Sequence, residues 1–173
     1  MRKTLVLLVF LCCPSLVPSW AWTGETNQPA NCKVWASFSS EGSIGETILQ
    51  EIRQARSRLS VALYAVNNLV MVEELAKLAG EGIKIRAKID KKRSMRQKRN
   101  MRAIEILKSA GISVQLVGQE GKNHNKFIVI DGAKVITGSY NWTVKAEQNW
   151  ENILVLDCPK LAKQYEREWE EIR

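Results

Sequence analysis

The chain has 173 residues, 45% of them hydrophobic, with 26 Lys and Arg against 18 Asp and Glu, a formal net charge of +8. It has four cysteines and one histidine, His124, and no His/Cys cluster with metal-ligand spacing. There is no internal repeat, no low-complexity tract and no sign of a second domain.

Residues 1–21 read as a secretory signal peptide: Arg2 and Lys3 form a positive start, Thr4 to Cys13 an apolar run, and Ser19-Trp20-Ala21 a small-residue cleavage site. The alternative is an uncleaved anchor. Pro14 and Pro18 interrupt the run, and its unbroken apolar part falls short of the ~20 residues a membrane span needs. Cleavage leaves residues 22–173, about 150 residues in one domain able to bury a core, with no stable membrane anchor. Without Arg2 and Lys3 the charge of +8 falls to about +6, which favours polyanions or anionic membranes without choosing between them. Cys12 and Cys13 leave with the leader. Cys32 and Cys158 then form one disulfide in an oxidising compartment, or stay as two buried thiols.

After a polar lead-in from Trp22 to Asn31, Lys33 to Phe38 reads as a strand. Ser43 is a helix N-cap with Glu46 three residues on, and Ile44, Ile48, Ile52 and Ala55 repeat at helical spacing. Leu59 to Val66 is a buried strand, Asn67-Asn68 a break, and Leu69 to Leu78 a helix ending at Gly80. Ile83 to Asp90 alternates apolar and basic residues, a strand with one charged face. A helix from about Arg99 to Ala110 closes at Gly111, and Ile112 to Val117 is a strand. Asn152 to Asp157 is another, and Pro159 suits the first turn of a last helix running to about Ile172. The fold class is therefore α/β: a mixed, mostly parallel central sheet with helices on both faces.

Lys91, Lys92, Arg93, Arg96, Lys98, Arg99 and Arg102 form the densest charge in the chain. They follow the carboxyl end of a strand, the edge where α/β sheets bind ligands. A solvated loop or helix face explains such a run as well as phosphate binding does, and its density and place favour phosphate.

Two β-rich runs, His124 to Ile130 and Val135 to Trp142, flank Asp131-Gly132, a strong hairpin signal. Side chains alternate along a strand, so His124 shares a face with Lys126, and Ser139 with Asn141. A two-residue turn centred on Asp131-Gly132 or Gly132-Ala133 brings all four together on one face, with His124 opposite Ser139 or Asn141. A three-residue turn breaks that arrangement. An imidazole, an ammonium, a hydroxyl and an amide between apolar strands make a poor core and a good anion site.

The run H-x-K-x4-D, six further residues and G-S-x-N resembles the signature of the phospholipase D superfamily. The likeness extends to Ser60-Val-Ala-Leu-Tyr64, the helix from Leu69, the strand from Ile83 and Glu151-Asn152. It is nearest to the small single-motif bacterial endonucleases and their mitochondrial-surface relatives. The resemblance implies the phospholipase D-like fold and metal-free phosphodiester cleavage without a cofactor. In it, His124 attacks phosphorus, Lys126 and Asn141 bind the non-bridging oxygens, and Ser139 donates a hydrogen bond at the same site. Glu151 aligns with a glutamate that supports the histidine of the paired half-site. Asp131, on the opposite parity to His124, is expected to hold the turn by side-chain-to-backbone hydrogen bonds. Gly138 is expected to let the phosphate approach the backbone.

That chemistry needs a second histidine to protonate the leaving oxygen, and the chain has none to offer. A homodimer with two His124 residues facing across a two-fold axis follows. The expected activity is a secreted or periplasmic endonuclease of low sequence specificity, acting on DNA first and RNA second. Trp142 and Trp150 lie near the motif, where core packing is a better expectation than base stacking. The alternatives are a lipid phosphodiesterase acting on anionic phospholipids and a non-catalytic nucleic-acid-binding protein. The sequon Asn141-Trp142-Thr143 lies inside the site, where a glycan would block it, so the match is read as accidental.

Overall fold

The computed structural model describes residues 32–173, so the expected leader lies outside the described residues. The sheet has seven strands: β1 (Lys33–Phe38), β2 (Arg58–Leu63), β3 (Lys84–Asp90), β4 (Ser113–Val117), β5 (Lys126–Ile130), β6 (Lys134–Gly138) and β7 (Asn152–Asp157). The helices are α1 (Ile44–Ile52), α2 (Leu69–Gly80), α3 (Lys91–Met95), α4 (Lys98–Ser109) and α5 (Pro159–Glu171). No helix among the described residues is long and apolar enough to cross a membrane.

The strand order is β1-β7-β6-β5-β2-β3-β4. The expectation of a mostly parallel sheet needs correction. Only β2·β3 and β3·β4 are parallel, and the other four pairings are antiparallel. The βα units before β3 and β4 enforce parallel neighbours, while the β5–β6 hairpin and its continuation into β7 enforce antiparallel ones. Because β5 runs against β2, the start of β5 lies at the same sheet edge as the carboxyl ends of β2 and β3.

Period-2 patterning divides the sheet into two faces. One carries Leu59, Val61, Leu63, Ile85, Ala87, Ile89, Ile128 and Ile136 and packs under α1, α2 and α4 in the main core. Ser43 caps α1 as expected, its Oγ accepting the Glu46 N–H at 3.1 Å. The other face carries Ala62, Phe127, Val129, Val135 and Leu156, covered by α5 through Ala162 and Trp169. The charged face expected for β3 lies here. Lys88, 5% exposed, donates to the carbonyls of Trp169 (2.8 Å), Glu170 (3.1 Å) and Ile172 (2.8 Å), so it satisfies the end of α5. Arg86 stacks 4.0 Å over Trp169 and pairs with Glu166 and Glu170. α5 seals Lys88 and partly covers Arg86, while Lys84 stays exposed.

Cys32 and Cys158 are joined as a disulfide with Cα atoms 4.6 Å apart, tying the start of β1 to the residue that opens α5.

The β5–β6 turn contains three residues, not two. Asp131 (φ 53°) and Gly132 (φ 68°) are both left-handed, and the Ala133 N–H donates to the Ile130 carbonyl at 3.0 Å, as a type I′ turn requires. Ala133 is then the extra residue. Its carbonyl takes the Cys158 N–H at 3.0 Å, and the ladder resumes with Lys134 opposite Ile130. The Asp131 carboxylate does not serve its own turn. It accepts from the N–H groups of Arg56, Ser57 and Arg58 at 2.9 Å and from Ser57 Oγ at 2.8 Å, clamping the segment that enters β2.

Burial pushes the Asp131 carboxyl upward, and the donors from Arg58, Arg56 and Ser57 outweigh it, so the pKa lies below the ordinary value. Its stabilisation is therefore complete above the unfolded-state pKa of about 4 and is lost as pH falls through the lower folded value. Asp131→Ala is expected to destabilise the fold by about 1–2 kcal/mol at neutral pH, since three backbone N–H groups and a hydroxyl at the surface lose a charged acceptor that water replaces only in part. Urea unfolding checks this. A loss below about 0.5 kcal/mol, the scale of an ordinary surface change, would show that the clamp does not stabilise the fold.

Candidate functional site

The site is built on the carboxyl edge of β2 and β3. Asp90, fully buried, ends β3 and caps α3. One of its carboxylate oxygens accepts the Arg93 N–H at 2.6 Å and the other the Asn123 N–H at 3.0 Å. Asn123, 4% exposed, donates from its amide to the carbonyls of Leu63 (3.4 Å) and Lys88 (3.2 Å), plugging the gap between the ends of β2 and β3. Its oxygen accepts from the Asn125 backbone and side chain at 3.4 and 3.1 Å. With its neighbours held this way, His124 is turned out to the surface.

Lys126, the first residue of β5, places its ammonium 2.7 Å from the His124 carbonyl and 3.4 Å from Nδ1. The ring of Tyr64, just past β2, meets His124 edge-on with centroids 4.6 Å apart. Lys126 Nζ and the Arg93 guanidinium lie 5.5 and 5.8 Å from the same ring. Burial, then the charges of Lys126 and Lys122, hold the His124 pKa below its ordinary value, with Asp90 pulling the other way. Burial also lowers Lys126, opposed by the charge of Glu151.

With the three-residue turn, continued pairing would set Lys126 opposite Gly138, so ladder parity alone does not gather the motif. Its polar residues reach one edge because both chains leave the ladder there. Ser139 bends towards β7: its N–H donates to the Asn152 carbonyl (3.0 Å), its Oγ accepts the Asn152 N–H (3.1 Å), and its hydroxyl donates to Glu151. Tyr140 turns inward, 2% exposed, and donates to Glu147, which also accepts from Ser43 Oγ (3.2 Å) and Asn68 Nδ2 (3.3 Å). Burial and then the Glu147 bond push the Tyr140 hydroxyl pKa up, so it stays a donor. Asn141 emerges beside Tyr64.

Glu151 is occupied within its own chain by Ser139 and, at 2.9 Å, by Asn149 Nδ2. Gly138 does not serve a phosphate. A Cβ there would lie 2.8 Å from Ile153 Cα and closer still to the Asn152 carbonyl, so the glycine admits the backbone of β7. Trp142 packs in the core at 3% exposure, and Trp150 is 87% exposed, which corrects the core expectation for it.

Tyr64 and Asn141 line one cleft of about 760 Å³, shared with Arg93, Lys98, Arg99 and Lys145. The basic cluster is therefore divided: Lys91, Lys92, Arg96 and Arg102 do not line it. Among the described residues, three side chains hold a buried polar atom with no partner, and two of these atoms, Asn141 Oδ1 and Arg93 Nε, belong to cleft residues. Sequence reasoning missed Asp90, although an Asp three residues before Arg93 after a strand is a cap signal. Tyr64 closes the Ser60-to-Tyr64 run that carries the resemblance. Asn123 and Lys145 carry no local signal.

Residues 48–173 match the family described as "Cardiolipin synthase, PLD-like domain". The chain is 32% identical over 133 residues to a phospholipase D of Rickettsia prowazekii, covering 76% of this chain and 63% of that protein's length. It is 48% identical over 67 residues to the mitochondrial cardiolipin hydrolase of Xenopus laevis, 38% of this chain and 32% of that one. Among solved structures, it resembles the phospholipase D family member Nuc of Salmonella typhimurium at a TM-score of 0.77 and 25% identity, covering 83% of this chain and 97% of that one. NucT of Helicobacter pylori shares the fold at a TM-score of 0.70 and 19% identity, covering 82% and 96%. A His-Lys pair at the edge of this sheet, within a match of this extent, places the chain in the phospholipase D superfamily.

Proposed function

We propose that this protein is a metal-independent phosphodiesterase, exported from the cytoplasm, that cuts DNA, and RNA by the same chemistry, as a homodimer. The observation that carries the proposal is a lone imidazole, lowered in pKa and touching Lys126, beside a cationic cleft lined by no carboxylate. A neutral imidazole is the nucleophilic form, and depression of its pKa keeps it neutral at pH 7. Lys126, with the Asn141 amide, stabilises the charge that builds on the non-bridging oxygens.

The steps balance with two copies of the site. A ring nitrogen of His124 bonds to phosphorus and the bond to the leaving oxygen breaks. That oxygen takes a proton from His124 of the partner subunit, the copy that enters the step as imidazolium, held charged by a facing carboxylate and by the anionic substrate. The partner subunit's His124 then takes a proton from water, whose oxygen displaces the first histidine from phosphorus. Within one chain, His124 Nδ1 faces an ammonium, which cannot accept its proton. A carboxylate must come from elsewhere to hold that tautomer, and the partner subunit's Glu151 fits the need.

A lipid phosphodiester is the second reading. It is favoured by the names of the Rickettsia and Xenopus relatives and by the exposed apolar side chains Phe38, Leu154 and Trp150. The polar, basic lining of the cleft favours nucleic acid over it. A non-catalytic binder leaves the His124-Lys126 pair without a purpose. Purified protein incubated with plasmid, single-stranded DNA, RNA and cardiolipin vesicles separates the three.

Nuclease activity is expected to persist in excess EDTA, and complete loss restored by Mg²⁺ or Zn²⁺ would contradict the phosphohistidine route. His124→Ala should lower kcat by about a thousandfold or more. Heterodimers of that variant with wild type should be no more than marginally active, and full activity in them would sink the shared site.

With one histidine in the chain, its imidazole proton resonances titrate unambiguously. Lys126→Gln removes a positive neighbour and should raise the midpoint, shifting the acid limb of activity to higher pH. Glu151→Gln should lower it if the partner's carboxylate faces the ring. No movement in either variant would refute this electrostatic account.

A further inference from the structure

His124 and Lys126 do not line the cleft but adjoin it through Tyr64, whose ring meets His124, and the cleft extends from Tyr64 and Asn141 between the first turn of α4 and the loop from Thr143 to Asn149. Arg93 is the best-placed group along it. Its backbone is held at both ends: the N–H by the buried Asp90 at 2.6 Å, the carbonyl by Asn100 Nδ2 at 3.2 Å. Asn100 is fully buried and bonds Asn67 at 3.0 Å, and Asn67 accepts the Val144 N–H at 3.1 Å. One polar chain thus joins α3, α4, the end of β2 and the loop after β6 around Arg93. The side chain so positioned has a buried Nε–H with no acceptor in the protein. Buried donors are rarely left unmade in native proteins, and a rotation of the guanidinium that uncovers Nε to the cleft would let an anionic ligand oxygen supply the missing acceptor. Lys98, Arg99 and Lys145 line the same cleft, with no Asp or Glu among the lining residues.

We propose that Arg93 anchors a second phosphate subsite, which holds the phosphate next to the scissile one on a single-stranded polynucleotide. This rests on the nuclease reading and adds its specificity: a chain of phosphates is preferred over an isolated phosphodiester. The strand is single because the ring of Tyr64 in the cleft wall can stack only on an unpaired base, and the amides of Gln97 and Gln148 then lie within the same cleft as that base. An acyl chain finds no continuous apolar path there.

The test measures binding of a fluorescent 12-residue oligo(dT) by anisotropy in the His124→Ala background, where no turnover occurs. Arg93→Gln should weaken binding about tenfold and reduce the salt slope by about 0.7, the value for one phosphate contact on a single strand. Arg93→Lys should restore the slope but not the full affinity, because an ammonium cannot reproduce the Nε–H fork. Lys92→Gln and Arg96→Gln, outside the cleft, should change binding less than threefold. With His124 present, Arg93→Gln should lower kcat/KM about tenfold more on the oligonucleotide than on bis(p-nitrophenyl) phosphate. Equal losses on the two substrates, an Arg93→Gln effect no larger than the controls, or a loss confined to cardiolipin vesicles would each overturn the subsite. If the His124→Ala protein binds the oligonucleotide through Arg93 but the wild type never cuts it, the nuclease reading fails and the subsite stands. If it does not bind the oligonucleotide at all, both fail.

Discussion

A buried carboxylate at the end of a central strand must find donors, and the way Asp90 finds them organises the functional edge of this molecule. Its two oxygens are shared between Arg93, at the start of the basic segment, and Asn123, which immediately precedes His124. Two stretches some thirty residues apart are thereby fixed to the same strand end. Asn123 completes the junction by bonding the carbonyls of Leu63, which ends β2, and of Lys88, two residues before the end of β3. Without those bonds His124 would sit on a free loop. With them, its ring is set between Tyr64 and Lys126.

The rest of the fold supplies the platform. Three helices seal one sheet face against a continuous aliphatic core, and α5 alone covers the other. That unequal cover is stable because β3 turns its cations into partners of α5: Lys88 takes the terminal carbonyls, and Arg86 takes Trp169 and two glutamates. Inserting the β5–β6 hairpin beside β2 makes the sheet mixed and has a chemical consequence. An antiparallel strand begins where its neighbour ends, so the residues opening β5 share an edge with the helix-leading ends of β2 and β3. His124 and the basic segment both reach the ring of Tyr64 for that reason.

Much of the fold was legible because its determinants are local. Ser43, Asn68 and Pro159 mark helix starts by their own hydrogen bonding or its lack, and β1 and β7 coincide with the runs Lys33 to Phe38 and Asn152 to Asp157 read as strands. The turn at Asp131-Gly132 was also visible, as left-handed conformers are cheap there. Its extra residue was not visible, because Ala133 is recruited by Cys158, 25 positions away, and no local preference reports that bond. The same limit applies to Asp131, whose partners at 56–58 belong to another element, and to Gly138, which answers to the backbone of β7.

By itself the sequence determined the elements other than α3, the His124-Lys126-Ser139-Asn141 set, and the shortage of a second histidine, since composition and short-range spacing need no coordinates. Tertiary structure alone decided the mostly antiparallel sheet, which cations of the basic cluster enter the cleft, and the exposure of Trp150. It also decided that the motif converges through departures from the ladder rather than through ladder parity. These depend on pairing between distant segments, where a single buried donor or acceptor selects one arrangement from several that local propensities allow.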